Sequence, residues 1–123
     1  MPTALARPAL SVVVVALSRR ADLLIACLRA LANQRSPREL EIVVVSSGPL
    51  ASAPEAELLS ARFAGGFAIH EGAEMTIPHL RRLGIAKARG DVVALIEDDC
   101  IAAPDWAQAI LAAHQEQHAA VGG

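Results

Sequence analysis

The chain has 123 residues, which is long enough to bury a hydrophobic core but too short for two domains of ordinary size. Hydrophobic residues make up 54% of it and charged residues 20%, a composition that excludes an intrinsically disordered chain. The formal net charge is −2, and the aromatic residues are two Phe and one Trp. Neither a basic surface nor stacking platforms are available, which argues against nucleic acid as a partner.

Two features bear on the cellular compartment. The two cysteines, Cys27 and Cys100, lack the spacing of a disulfide framework or a zinc site, so a reducing, cytoplasmic location is expected. The apolar run 9–17 after Arg7 resembles the start of a signal peptide, but it ends in Ser-Arg-Arg and is too short to cross a bilayer. We therefore predict a buried strand there and no membrane span.

The first half of the chain has clear strand and helix patterns. The β-branched run at 11–17 predicts a central strand that is buried on both faces. A helix is predicted over 21–33, because apolar residues recur there at helical spacing and Asp22 lies near its N-terminus, where the helix dipole favours a carboxylate. A second buried strand is predicted at 41–45, followed by the turn-forming sequence Ser-Ser-Gly-Pro at 46–49.

The second half continues the alternation of strands and helices. Ser52 with Glu55 forms a capping-box pattern, and Thr76 is a candidate helix cap with Pro78 in the first turn. Strands and helices at this spacing predict a mostly parallel sheet with right-handed crossovers and helices on both faces. The predicted elements are a helix at 52–63, a strand at 67–70, a helix at 76–90, a strand at 91–96, a helix at 104–118 and the start of a strand at 119–123.

Polar clusters follow three of the predicted strands, at 18–20, 46–48 and 97–100. Ligands of such sheets bind outside the carboxyl ends of the strands, so these clusters are the candidate site. Glu97, Asp98 and Asp99 would repel one another in one crevice, and they would be costly to desolvate without a cation. Mg²⁺ is typically held by one or two carboxylates while substrate phosphates supply the rest, so a metal and diphosphate site is predicted. The alternative is an acidic loop that faces water and caps the next helix.

A family resemblance rests on four segments whose order and spacing match together. They are Glu-Ile-Val-Val-Val-Ser-Ser-Gly at 41–48, Arg-Arg-Leu-Gly-Ile at 81–85, Gly-Asp-Val-Val-Ala-Leu-Ile-Glu-Asp-Asp at 90–99 and Pro-Asp-Trp at 104–106. In these segments the chain resembles the inverting family-2 glycosyltransferases over nearly all of its length. The resemblance implies a Rossmann-like GT-A fold and an enzyme that takes a nucleotide-diphosphate sugar as donor. It also implies the use of Mg²⁺ or Mn²⁺ and transfer of the sugar to an acceptor, with inversion.

The resemblance also implies roles for individual residues. Asp99 is the expected metal ligand, and Glu97 is expected at the metal, its bound water or the ribose. Asp98 is the intervening position of the motif and is expected near the nucleotide. Side chains alternate in an extended segment, so Glu97 and Asp99 are expected to point into the crevice and Asp98 away from it. Arg81 is expected near the nucleotide and its phosphates, with a solvated helix charge as the alternative, and Gly84 is expected to let its helix lie close to neighbouring backbone.

Four further residues, Leu17, Ser18, Ser46 and Ser47, match family positions that contact the base. Family members usually carry Pro-Thr-Tyr/Phe-Asn after the first strand and one or two Asp after the second. In this chain the stacking ring is absent and hydroxyls replace the carboxylates. These residues are expected to bind the nucleotide, but a preference for uridine does not follow.

The family's catalytic base follows the acidic motif at a distance, and we expect it beyond Gly123. Residues 1–123 are therefore expected to be the N-terminal, nucleotide-sugar-binding half of a GT-A domain, inactive by itself, with the sugar and acceptor undetermined. The rival interpretation is a non-catalytic, truncated GT-A module. A dinucleotide oxidoreductase is disfavoured because the first turn has no Gly-x-Gly-x-x-Gly. His114 and His118, one helical turn apart, are more typical of a polar helix end than of a metal site.

Overall fold

The computed structural model describes residues 7–17, 20–35, 39–50 and 53–114. Strands and helices alternate along these ranges, which confirms the predicted α/β class. The predicted cap Ser52 and the predicted elements beyond His114 lie outside the described residues. None of the helices in these ranges meets the length and hydropathy that a membrane span requires. The elements are β1 (Leu10–Ala16), α1 (Ala21–Ala32), β2 (Leu40–Ser47), α2 (Ala53–Glu57), a 3₁₀ turn (Ser60–Arg62), β3 (Gly66–Gly72), α3 (Ile77–Lys87), β4 (Val92–Glu97) and α4 (Trp106–His114).

The four strands form one parallel sheet in the order β3-β2-β1-β4. β1 lies between β2 and β4, with Val13 opposite both Val43 and Leu95. Every residue of β1 is buried. Helices cover both faces of this strand, which is the arrangement that an unbroken β-branched run predicts.

The two faces of the sheet carry separate hydrophobic layers. Helices α1 and α4 pack on one face, and α3 packs on the other through Leu80. A Cβ atom at Gly84 would lie 2.2 Å from Cγ1 of Val13, so α3 approaches β1 more closely than a larger residue would permit. Gly84 therefore lets α3 pack closely as expected, but the neighbouring atoms belong to the Val13 side chain and not to backbone.

Helix α3 begins as predicted but ends earlier. The Thr76 side chain accepts the backbone N–H of His79 and so caps the helix. The last helical residue is Lys87, whereas the sequence predicted a helix up to Gly90. The Gly90 N–H donates to Oγ of Ser11 at 2.7 Å, and a Cβ at Gly90 would lie 2.6 Å from that oxygen. Gly90 is therefore required for a close approach to β1 and does not terminate the helix.

A buried carboxylate ties this same connection to the sheet. Oε1 of Glu41 accepts the Ser11 hydroxyl at 2.6 Å and the Arg89 N–H at 2.7 Å, while Oε2 accepts Nε of Arg89 at 2.9 Å. Arg89 also donates to the carbonyl of Gly65 at 2.6 Å. Burial raises the pKa of Glu41, but the hydrogen bonds from Arg89 and Ser11 and the charge of Arg89 outweigh it and hold that pKa below its ordinary value. The network holds the chain at the amino end of the sheet, where β4 begins.

Strand β4 lies at an edge of the sheet, and only one of its faces is well covered. Val92, Ala94 and Ile96 pack against the core that α1 and α4 form. On the other face, Val93 is 36% exposed and Leu95 is 44% exposed. Within the described ranges, β1 is the strand that pairs with β4, and the outer edge of β4 carries no further strand.

Candidate functional site

A cleft of about 260 Å³ opens at the carboxyl ends of β1 and β2, beside the turn that follows β4. This is the edge of the sheet at which the sequence predicted ligand binding. Residues from the first turns of α1 and from the segment that leads into α3 also line it. Its lining includes Leu17, Arg20, Ser46, Ser47, Met75 and Asp98.

Asp98 lies in the cleft, which corrects the expectation that it points away. Its backbone N–H donates to the carbonyl of Val15 at 3.1 Å, and its Oδ1 accepts the N–H of Leu17 at 3.3 Å. The residue is 2% exposed. Strand β4 ends at Glu97, so the alternation of an extended strand stops there. The following turn directs Asp98 toward the end of β1.

Glu97 and Asp99 flank Asp98 in the sequence, and both are exposed. Oδ1 of Asp99 lies 3.9 Å from Sγ of Cys100. In the part of the chain that the structure describes, no three His, Cys, Asp or Glu side chains are grouped closely enough to hold a metal ion. The carboxylate donors nevertheless fit Mg²⁺ or Mn²⁺, because one or two protein carboxylates are enough when substrate phosphates complete the coordination.

The two serines that follow β2 line the cleft as the sequence suggested, and both take part in its loop structure. The Ser46 hydroxyl donates to the carbonyl of Gly48. Oγ of Ser47 accepts the backbone N–H of Met75 at 2.8 Å. Gly48 has a φ of +92°, which a residue with a side chain rarely adopts. These contacts connect the loop after β2 to the segment before α3.

The two arginines near the site differ in position. Arg81 is exposed on α3 and does not line the cleft, whereas Ile77 and Leu80 of the same helix do. Arg20, which precedes α1, lines the cleft. Its Nη2 lies 2.7 Å from Oδ2 of Asp22, and this hydrogen bond and the Asp22 charge raise the pKa of Arg20. Arg20 is therefore cationic at physiological pH.

Sequence reasoning identified some cleft residues and missed others. Leu17 lies in the cleft, while Ser18 lies outside the described residues. Arg20 belongs to a cluster that the sequence indicated, but its role as a lining residue was not predicted. Leu50 and Met75 were missed, because single apolar residues in loops carry no sequence signal for a binding site.

The sequence of the chain matches a known family. The model of that family, described as Glycosyl transferase family 2, matches residues 11–123, which is nearly the whole chain. Among curated proteins, none matches the sequence.

Several solved structures share the fold. S. aureus TarS 1-349 has a TM-score of 0.71 at 19% identity, covering 86% of this chain and 33% of that one. The same protein in complex with UDP-GlcNAc has a TM-score of 0.69 at 21% identity, covering 86% and 32%. The mannosyltransferase PcManGT from Pyrobaculum calidifontis, in complex with GDP-Man and Mn²⁺, has a TM-score of 0.66 at 23% identity, covering 85% and 31%.

At these identities the structural likeness shows the fold, which is the GT-A fold of glycosyltransferases. This chain spans about a third of the length of the structures that it matches. The sequence match and the structural likeness each extend over most of the chain. The chain therefore belongs to glycosyl transferase family 2.

Proposed function

We propose that this chain binds a nucleotide-diphosphate sugar together with Mg²⁺ or Mn²⁺, and that the whole protein transfers the sugar to an acceptor with inversion. The observation that carries the proposal is the cleft at the carboxyl ends of β1 and β2. Arg20 and the turn at residues 97–100, here called the acidic turn, border this cleft. The complexes of the neighbours with UDP-GlcNAc and with GDP-Man and Mn²⁺ support the donor class and the metal.

The nucleoside occupies the cleft in this proposal. Leu17, Leu50 and Met75 provide apolar contact in place of a stacking ring. Ser47 accepts the N–H of Met75, and its own hydroxyl proton can be donated to the base or the ribose. Ser46 contributes mainly by holding the loop, since its hydroxyl already donates to a backbone carbonyl.

The diphosphate and the metal would be held beside the acidic turn. Asp99 and Glu97 are the residues that would hold the ion, and Asp98 binds the nucleotide from within the cleft. When held there, a divalent ion would supply positive charge to offset the charge that develops on a leaving diphosphate. Arg20 supplies positive charge at the cleft. The same role is proposed for Arg81 of α3 because its segment resembles that of the family.

We assign no catalytic base among the described residues. Binding of metal and phosphate does not remove the proton from an acceptor hydroxyl, which requires a base. The function proposed for the 123-residue chain is therefore donor binding, with slow donor hydrolysis as its highest activity, and transfer is proposed for the whole protein. A non-catalytic nucleotide-binding module would share this donor site and differ only in lacking transfer.

Calorimetric titration with UDP and GDP, with and without Mn²⁺, tests the donor site. Asp99→Ala is expected to weaken binding in Mn²⁺ by more than about tenfold, which is the lower range for changes that disturb a metal site. Glu97→Gln should have a smaller effect because it keeps an oxygen donor. Asp98→Asn should have the smallest effect because it keeps an oxygen for the Leu17 N–H.

Asp91→Ala is the matched control, because Asp91 is also an exposed aspartate but lies at the opposite end of β4. It should bind as the wild type does. Equal affinity in the presence of a chelator, or a greater loss from Asp98→Asn than from Asp99→Ala, would contradict the metal assignment. Failure of the wild type to bind either nucleotide under all conditions would contradict the proposed function.

A further inference from the structure

One side chain at the end of α1 connects that helix to the segment between the acidic turn and α4. Nε2 of Gln34 donates to the carbonyl of Ala103 at 2.6 Å and to that of Ala30 at 3.2 Å. Its Oε1 accepts the backbone N–H of Ala107 at 2.8 Å. These partners determine the orientation of the amide, because a carbonyl can only accept and a backbone N–H can only donate.

The segment 97–104, here called the acidic segment, is held at both ends by α1 and the residues that follow it. At its beginning, Sγ of Cys27 lies 4.0 Å from the carbonyl oxygen of Glu97 and donates to it. At its end, the backbone N–H of Arg35, next to Gln34, donates to the carbonyl of Pro104 at 2.9 Å. The helix α1 and the residues that follow it thus contact both ends of the acidic segment, and the first turn of α1 also lines the cleft.

Between these two anchors, the Asp98 N–H donates to the carbonyl of Val15 at 3.1 Å, Oδ1 of Asp98 accepts the N–H of Leu17 at 3.3 Å, and Ala102 packs against the core. The residues between Asp98 and Ala102 have fewer contacts. Asp99, Cys100 and Ile101 are exposed, and the Cys100 N–H bonds back to the carbonyl of Glu97 at 3.1 Å. Releasing one anchor would give Asp99 more conformations in the free protein. That entropy would have to be lost again whenever the carboxylate binds an ion.

We propose that Gln34 is a positioning residue, which fixes the acidic turn through Ala103 and thereby supports the metal-dependent part of nucleotide-diphosphate binding. This inference rests on the proposed function, because the turn must hold the ion. Gln34 does not line the cleft, so it would not contact a nucleoside bound there. Metal-independent binding is therefore left unchanged when Gln34 is replaced.

Two substitutions separate the contacts of this side chain. Gln34→Met has a similar length but makes none of the hydrogen bonds. Gln34→Glu keeps an oxygen for the Ala107 N–H and adds negative charge near the start of α4, where it is favourable, but it cannot donate to Ala103. Gln108→Met and Gln108→Glu are the matched controls, since Gln108 is an exposed glutamine on α4.

The first measurement is amide hydrogen exchange of the whole chain without metal or nucleotide. Both Gln34 variants are expected to exchange faster at the protected amides of Asp98, Cys100 and Trp106, with β1 and β2 unchanged. The second measurement is titration with UDP and GDP. Affinity in Mn²⁺ should fall, but by less than the roughly tenfold that follows the loss of a direct partner of a metal ligand, because Gln34 bonds to Ala103, which lies beyond Asp99 in the chain. Affinity in chelator should stay the same.

Three outcomes would overturn the inference. They are Gln34→Glu matching the wild type in both measurements, an equal loss of affinity with and without Mn²⁺, and unchanged exchange in the acidic segment. Where Gln34→Met does not fold by circular dichroism, Gln34→Glu decides the result. A wild type that binds no nucleotide diphosphate would overturn the proposed function, and the exchange measurement would still decide whether Gln34 holds the turn.

Discussion

Among single residues, Glu41 shows how a buried charge is stabilised in this protein. The residue is 6% exposed, and its carboxylate accepts hydrogen bonds from the Ser11 hydroxyl and from both the backbone and the side chain of Arg89. Hydrogen bonds to a charged acceptor are stronger than neutral ones, and here they outweigh the cost of desolvation. Glu41 is therefore expected to remain ionised at neutral pH and to stabilise the amino end of the sheet.

Replacing Glu41 tests this network. Glu41→Gln is expected to lower the free energy of unfolding at pH 7 by about 1–3 kcal/mol, because the charged hydrogen bonds are lost. The pKa of Glu41 is lower in the folded protein than its ordinary 4.5, so its contribution is present above that pH and is lost as the pH falls through the folded-state pKa. Urea unfolding of both proteins across this pH range should show their difference shrinking in acid.

Glu39→Gln is the matched control, because Glu39 is exposed and lies just before the same strand. Its effect on the free energy of unfolding should stay within about 0.5 kcal/mol at every pH. A difference between Glu41→Gln and the wild type that does not change with pH would contradict the ionised, hydrogen-bonded state of Glu41.

Among the elements, α3 depends most clearly on a single small residue. Gly84 lies against Val13 of β1, and this contact brings α3 close to the sheet. Two other residues of α3, Ile77 and Leu80, line the cleft. The closeness of α3 to β1 therefore also determines one wall of the cleft.

Gly84→Ala is expected to lower the free energy of unfolding by about 1–3 kcal/mol, as overpacking of a core does. Helix propensity alone would raise the free energy of unfolding of this variant, since Ala is favoured over Gly by about 1 kcal/mol in a helix interior. Urea unfolding measures the net effect. A stabilised Gly84→Ala variant would show that the close approach to Val13 relaxes at little cost.

Two further variants make this result specific. Arg82→Ala, at an exposed position of the same helix, should stay within about 0.5 kcal/mol of the wild type. Val13→Ala should be less harmful in the Gly84→Ala background than by itself, because it makes room for the added methyl group. Additive effects in this double-mutant cycle would contradict the proposed steric conflict.

For the whole molecule, the exposed face of β4 is the feature with the clearest consequence. Val93 and Leu95 are partly exposed on it, and Ile85 on α3 is 48% exposed. Among the residues that the structure describes, the outer edge of β4 has no partner strand. Exposed apolar groups together with such an edge promote association. The isolated chain is therefore expected to be only marginally stable and to aggregate.

Leu95→Gln is expected to reduce aggregation in light scattering while changing the free energy of unfolding by less than about 1 kcal/mol, because the side chain is 44% exposed. Leu24→Gln is the contrasting variant, since Leu24 is buried and should unfold the protein readily. A strong destabilisation by Leu95→Gln, or a wild type that stays monomeric at high concentration, would show that this face is covered in solution.

Much of the fold followed from the sequence by itself. The family resemblance implied the close packing at Gly84. The β-branched runs predicted the buried strands β1 and β2, and Thr76 predicted the start of α3. These features depend on side-chain periodicity and on contacts within one turn, which a local stretch of sequence contains. The polar clusters after the strands likewise indicated the end of the sheet at which the cleft lies, because parallel strands bring their carboxyl ends together.

Other features were decided by the tertiary structure. Asp98 lies in the cleft because its turn bonds to Val15 and Leu17, and Gly90 is required by its contact with Ser11 instead of by a helix end. Gln34 donates a hydrogen bond to the carbonyl of Ala103, which lies 69 positions away in the sequence. Such partners are neighbours only after the sheet has formed and α1 has packed against it, so no local pattern of residues could identify them.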